Sequence, residues 1–275
     1  MSAVERLLIP HDQTTLVAER WGDGAPVVIL LHSGVTDRRG WHGFVEHLLA
    51  TPFPGTLVAY DRRGSGETPP ATSSFSDLDD LRAVIDEVTA GPAWLVGSSR
   101  GGRLALDAAL TDPARVAGVV LLAPEVSGAP SLDGLDAATQ RLDELITAAK
   151  ERADWETANR LEAWLWLDGP AGPERRVGGA AQELALAMNA VILANANAGE
   201  SQPGMVDAWS HLAEVATPTT VACGDLDVPA LLARSRELAR RIPHARYREL
   251  AGMAHLPYLE QPAAVAELVM EAISS

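Results

Sequence analysis

Gly97-Ser98-Ser99-Arg100-Gly101 fits the pattern G-x-S-x-G. A short apolar run, Ala93 to Val96, precedes it, and a Leu- and Ala-rich segment to about Leu110 follows. That order predicts a strand turning straight into a helix. Such a turn strains the backbone of its middle residue, and flanking glycines let the chain pass close without a Cβ clash. It would hold the Ser99 hydroxyl at the C-terminal edge of a sheet, beside helix N-terminal N–H groups able to stabilise an oxyanion. Ser98 offers the same hydroxyl, but moving the motif by one residue would need glycine where Val96 stands. The plain alternative is a glycine-rich turn whose serines only cap a helix.

A serine hydroxyl is a weak nucleophile near neutral pH. It needs a base to take its proton and a carboxylate to orient that base. Of the seven histidines, only His255 follows the last apolar strand segment in a glycine-flanked loop, Gly252-Met253-Ala254-His255. The segment before it, Thr219 to Cys223, runs into Gly224-Asp225-Leu226-Asp227, which offers two carboxylates. Glu125 also ends a strand segment and is a third candidate acid. His32 sits in the polar loop after Val27 to Leu31, where hydrogen bonding to its own loop is the simpler role.

These residues need a scaffold, and the hydrophobic pattern supplies one. Strands are expected at 4–10, 14–21, 27–31, 57–60, 93–96, 116–122, 219–223 and 245–250. Several are continuous apolar runs, as in strands covered on both faces. Helices are expected from about Trp41 to Ala50, Asp77 to Ala90, Ser99 to Leu110, Pro229 to Arg241 and Pro262 to Ile273. Leu78, Leu81, Val84, Ile85 and Val88 share one face of the second. Strands alternating with helices imply parallel crossovers and a sheet with helices on both sides. Between about 126 and 212 the alternation stops. That block reads as helices at Leu135 to Lys150, Trp155 to Leu167 and Val177 to Asn197, and it would lie over the edge where Ser99 projects. Asp61-Arg62-Arg63-Gly64-Ser65-Gly66 lacks the length of a dinucleotide fingerprint and the lysine of a phosphate loop, so it reads as a structural turn.

Composition narrows the partners. The 275 residues hold 37 acidic and 22 basic side chains, a formal net charge of −15. That excess argues against nucleic acid or an anionic membrane as the main partner. One cysteine, Cys223, allows no internal disulfide and reads as a small core residue. No apolar run is long enough to span a membrane, and the amino-terminal residues lack a signal-type apolar core, so a cytoplasmic location is the default expectation. No cluster has zinc-ligand spacing, so no metal or cofactor is expected.

Taken together, Leu31-His32-Ser33-Gly34, Asp61-Arg62-Arg63-Gly64-Ser65-Gly66, Gly97 to Gly102, Gly224 to Asp227 and Gly252 to His255 resemble the α/β-hydrolase fold superfamily with a helical cap. The resemblance runs the length of the chain except the cap. It implies a mostly parallel eight-stranded sheet, a core formed by residues 1–125 and 213–275, and a cap at 126–212. It implies Asp227 over Asp225, as the acid commonly sits three residues after the glycine. It places the oxyanion N–H groups at Arg100 and at Gly34, with Val35 the alternative; Ser33 stands where the family often has glycine. A serine nucleophile sets the chain apart from the dehalogenase and epoxide-hydrolase branches. The expected activity is hydrolysis of a small-molecule carboxylic ester or lactone by Ser99, His255 and Asp227, in a monomer or homodimer. Amide or carbon–carbon cleavage, perhydrolysis and acyl transfer use the same machinery. A ligand-binding protein with little turnover is the rival. Trp164, Trp166 and the Arg100 side chain are candidate substrate contacts, and Arg175-Arg176 is either a carboxylate receiver or a solvated pair.

Overall fold

The computed structural model describes residues 4–132, 134–195, 201 and 206–274. The expected domain spans also take in 1–3, 133, 196–200, 202–205 and 275, which lie outside the described residues. An eight-stranded sheet runs through the molecule in the order β1-β2-β4-β3-β5-β6-β7-β8. The strands are β1 Glu5–His11, β2 Thr14–Trp21, β3 Val27–Leu31, β4 Thr56–Tyr60, β5 Ala93–Ser98, β6 Val116–Leu122, β7 Thr219–Gly224 and β8 Arg246–Leu250. β2 pairs antiparallel with β1 and β4; every other pairing is parallel.

The helices are α1 His42–Leu49, α2 Asp77–Val88, α3 Arg100–Thr111, α4 Ala137–Glu151, α5 Trp155–Ala163, α6 Gly179–Ala194, α7 Pro229–Arg241, α8 Pro257–Glu260 and α9 Pro262–Ile273. Alternate residues of each central strand feed opposite faces, because side chains alternate across a strand. Ile29, Val58, Leu95, Leu121 and Val221 join one apolar cluster with residues of α2, α3 and α7. Leu30, Leu57, Val96, Val120 and Ala222 join a second with residues of α1, α8 and α9. Two-sided burial is why β3 and β6 read as unbroken apolar runs.

Most element boundaries shift from the expected ones by one or two residues. Two differences have physical causes. The expected helix from Trp41 begins as a 3-10 turn, Arg38–Trp41, whose Asp37 side chain accepts the Arg39 N–H. The expected helix from Trp155 to Leu167 stops at Ala163 and widens into a π turn, Trp164–Asp168, ended by Gly169 at φ 85. The last helix of the 126–212 block is Gly179–Ala194; its expected final positions, 196 and 197, lie outside the described residues. That block is not packed apart: Leu167, Ala185 and Met188 belong to the second sheet cluster.

Backbone contacts at the start of α3 set the geometry of the Ser99 turn. A Cβ on Gly97 would lie 2.3 Å from the Gly101 carbonyl oxygen, and one on Gly101 would lie 2.2 Å from that of Leu31. Both obstacles are backbone and cannot swing aside. Gly101→Ala is therefore expected to lower the free energy of unfolding by about 3 kcal/mol. Gly34→Ala, where a Cβ meets nothing within 4 Å, is expected to stay within about 0.5 kcal/mol of the parent. Urea unfolding checks both; equal losses at the two sites would contradict the packing argument.

Candidate active site

Ser99 lies between β5 and α3 with φ 52 and ψ −115. This is a strained conformation for a residue with a Cβ. It is held from three sides. The Ser99 N–H donates to Leu122 O at 2.9 Å, and Ser99 O accepts from the Arg103 N–H at 3.0 Å and the Glu125 N–H at 3.1 Å. Ser98 ends β5, is fully buried, and its hydroxyl has no partner among the described residues. The expected choice between the two serines is thus a choice between a residue inside the strand and one at the turn.

β5, β6, β7 and β8 are successive parallel neighbours, so the loops after them open at one sheet edge. His255 follows β8 and Asp227 follows β7. The imidazole Nδ1 donates to Asp227 Oδ2 at 2.8 Å, and both side chains are almost fully buried. The same carboxylate oxygen accepts from the Cys223 thiol at 3.4 Å, and Oδ1 accepts from the Val228 N–H at 2.7 Å. The other two candidate acids are engaged elsewhere. Asp225 accepts from the Gly252 N–H at 2.7 Å, and Glu125 lies 3.6 Å from Arg103.

With Nδ1 committed, Nε2 is the ring nitrogen left to exchange a proton. Among the described residues it forms no hydrogen bond with Ser99 Oγ. Hydrogen bonds between a base and a nucleophile are often long in ligand-free sites and tighten when a substrate is bound. Burial alone pushes the imidazole pKa down. Asp227 outweighs burial through charge and hydrogen bonding, with smaller help from Glu125 and Glu260, so the net direction is upward.

The loop after β3 approaches the start of α3 through the Gly101 contact with Leu31. The Arg100 N–H opens that helix and so has no intrahelical acceptor. The Ser33 N–H donates to Thr36 Oγ1 at 3.1 Å and the Val35 N–H to Ser33 Oγ at 3.3 Å. The Gly34 N–H has no acceptor among the described residues, which distinguishes it from Val35. Tyr258 on α8, an element the sequence did not disclose, hydrogen-bonds Thr36 through its hydroxyl at 2.7 Å and stacks on Trp41.

Of the two tryptophans, Trp166 reaches the imidazole. Its ring centroid lies 4.7 Å from that of His255, and its carbonyl accepts the His255 N–H at 3.2 Å. Trp164 instead donates to Gly172 O at 2.9 Å and packs with residues of α4 and α5. The Arg100 guanidinium pairs with Asp77 at 2.9 Å. The Arg175-Arg176 pair divides: Arg175 is exposed, as a solvated residue would be, whereas Arg176 is half-buried and engaged. Arg176 bridges Glu260 at 2.5 Å and the carbonyls of Leu167 and Asp168, while Arg175 Nε donates to Gln182 at 3.0 Å. Glu260 also accepts the Ala254 N–H at 2.7 Å, so Arg176 ties the helical block to the His255 loop. No pattern in the sequence marks this tie, because its members are distant in the chain. Among the described residues no group of three or more His, Cys, Asp and Glu side chains is placed to hold a metal ion, and no helix is long and apolar enough to cross a membrane.

Comparison with known proteins adds context to this geometry. A family model described as "Alpha/beta hydrolase family" matches residues 28–268. A Bacillus subtilis protein provisionally named 2-succinyl-6-hydroxy-2,4-cyclohexadiene-1-carboxylate synthase is 26% identical over 94% of each chain. Lipase LipV of Mycobacterium tuberculosis is 32% identical over 75% of this chain and 77% of its own. The structure of esterase RhEst1 from a Rhodococcus species superposes with a TM-score of 0.76 at 22% identity, covering 100% of this chain and 99% of that one.

The upward push on the imidazole carries a pH prediction. A general base works only when neutral, so kcat/KM is expected to rise with pH through an ionisation above the usual histidine value of about 6.5. Asp227→Asn removes the main raising influence and leaves burial opposed only by the smaller effects of Glu125 and Glu260. The His255 titration should then move down, and kcat should fall by about 10⁴. An NMR titration of the imidazole in both proteins checks the direction; an unmoved or raised pKa in the variant would contradict the pairing.

Proposed function

The chain belongs to the alpha/beta hydrolase family, and we propose that it is a serine hydrolase that cleaves a carboxylic ester or lactone through an acyl-enzyme. The observation that carries this reading is the buried Asp227–His255 hydrogen bond at the sheet edge where Ser99 is held in its strained turn. In the proposed reaction Ser99 Oγ attacks the substrate carbonyl while His255 Nε2 takes its proton. Asp227 holds the ring by Nδ1 and stabilises the imidazolium. The Arg100 and Gly34 N–H groups receive the oxyanion. His255 then gives its proton to the departing alkoxide, and a water molecule, activated by the same ring, releases the acid.

We assign residues 126–212 the role of a cap over this site. The Trp166 contact with His255 and the Arg176 tie to the His255 loop support that role. So does a small cavity lined by Val35, Trp166, Leu167, Asn189 and Leu256 among others, which joins the oxyanion loop to the helical block. The similarity to lipase LipV agrees with ester chemistry. Carbon–carbon cleavage, which the same machinery can perform, is the alternative to include in any screen.

A pre-steady-state burst of 4-nitrophenol from a 4-nitrophenyl ester, equal to the enzyme concentration, is expected, with stoichiometric labelling of Ser99 by a fluorophosphonate. Ser99→Ala should lose at least about 10³-fold in kcat and all labelling while keeping its fold. Retention of most activity by that variant would overturn the assignment. Ligand binding without burst or labelling would favour the receptor-like rival.

A further inference from the structure

Arg62 is 5% exposed, and among the described residues no carboxylate lies within 4.0 Å of its guanidinium. A buried cation without a partner is costly to fold around, so what it touches is informative. Among the described residues it touches the loop after β3 and nothing acidic. One guanidinium nitrogen donates to His32 O, and the other donates to Ser33 O at 2.8 Å. The Arg62 backbone N–H donates to His32 Nε2 at 3.1 Å. That contact fixes the neutral tautomer with the proton on Nδ1, which in turn donates to Ser33 O at 2.8 Å. Burial, then the charge of Arg62, keep the His32 imidazole well below its ordinary pKa. Burial, then the charge of Arg100, bring the Arg62 pKa down to about 10, so the guanidinium remains charged at neutral pH. Asp77 acts on Arg62 only at longer range and is itself paired with Arg100 at 2.9 Å.

Ser33 O and the Gly34 N–H are the two ends of one amide group. Its oxygen takes two donors, one of them cationic. Its nitrogen end is the N–H that has no acceptor among the described residues. Hydrogen bonds in series polarise one another, so loading the carbonyl end makes the N–H end a stronger donor. Charge-assisted bonds also fix the plane of the amide more firmly than neutral ones. We propose that Arg62 is a positioning residue of the oxyanion hole, whose buried charge, together with His32, orients and polarises the Ser33–Gly34 amide toward the developing oxyanion. This rests on the assignment of Ser99 and Gly34 made above. The turn 61–66 is then more than a structural turn. Asp61 anchors it through the Arg38 N–H at 2.9 Å and the Glu67 N–H at 2.8 Å, and so aims the neighbouring Arg62 at the loop.

The test uses an alkyl trifluoromethyl ketone. Ser99 Oγ adds to its carbonyl carbon, the hydroxyl proton passes to His255, and the former carbonyl oxygen becomes a hemiketal oxyanion. A ¹⁹F NMR titration reads the pKa of that hemiketal, and the adduct itself counts correctly folded sites. Loss of polarisation weakens the oxyanion, so Arg62→Met should raise the hemiketal pKa by about one unit or more. It should lower kcat by about 10- to 100-fold, less than the loss of a whole oxyanion donor, with KM within about threefold. Arg62→Lys, whose ammonium is a point charge rather than a fork reaching both carbonyls, should fall between the parent and Arg62→Met. If circular dichroism shows Arg62→Met unfolded, Arg62→Lys alone must show a hemiketal pKa above the parent's. An adduct that forms in a folded variant with an unchanged hemiketal pKa, or an activity loss confined to KM, overturns the inference. Failure of the parent enzyme to form any adduct on Ser99 overturns the serine-hydrolase reading instead.

Discussion

Everything at the sheet edge depends on how closely the first turn of α3 lies against the ends of β3 and β5. The Gly101 backbone occupies space where a Cβ would stand 2.2 Å from Leu31 O and 2.7 Å from His32 O. This approach brings the helix N-terminus beside the loop carrying Gly34, and it leaves Ser99 no relaxed backbone conformation. A residue held at positive φ costs about 1–3 kcal/mol. The cost is offset locally by the three backbone hydrogen bonds that hold Ser99 to Leu122, Arg103 and Glu125.

Around that contact the polar groups form two linked supports. On one side, Asp227, itself bonded by the Cys223 thiol, holds the His255 ring, and the Trp166 carbonyl and the Arg176–Glu260 bridge hold its loop. On the other side, Arg62, His32, Thr36 and Tyr258 hold the loop of Gly34. Both supports are buried, and both use groups far apart in the chain. The low dielectric that makes each unpaired group costly also strengthens each satisfied bond. Rigid placement of the N–H donors before reaction is what makes such a site effective, since no reorganisation is then needed as charge develops.

The sheet and its order of elements were legible because β3, β4, β5, β6 and β7 are covered on both faces and so appear as apolar runs. α7 and α9 carry proline in their first turn, and both began where that proline stands. The motif glycines marked Ser99, since the steric demand they relieve is local. The π turn at Trp164–Asp168 was not legible; its Trp166 carbonyl accepts the N–H of His255, a partner distant in the chain. Nor was the role of Arg62, which resembles any arginine in a polar turn until its burial against Ser33 O is seen. Arg176 misled for the same reason: beside the exposed Arg175 it suggests solvent or a ligand, whereas the helical block uses it as a tie.

The central claim is that the turn after β5 and the loops after β3, β7 and β8 converge on one reacting carbon. A crystal structure of the protein inhibited by an alkyl phosphonate tests this most directly. The account predicts phosphorus bonded to Ser99 Oγ and a phosphonyl oxygen about 2.7–3.1 Å from both the Gly34 and Arg100 nitrogens. It also predicts His255 Nε2 within about 3.2 Å of an oxygen on phosphorus. An adduct on another side chain, or one on Ser99 whose oxygen meets neither N–H group while the imidazole stays turned away, would contradict it.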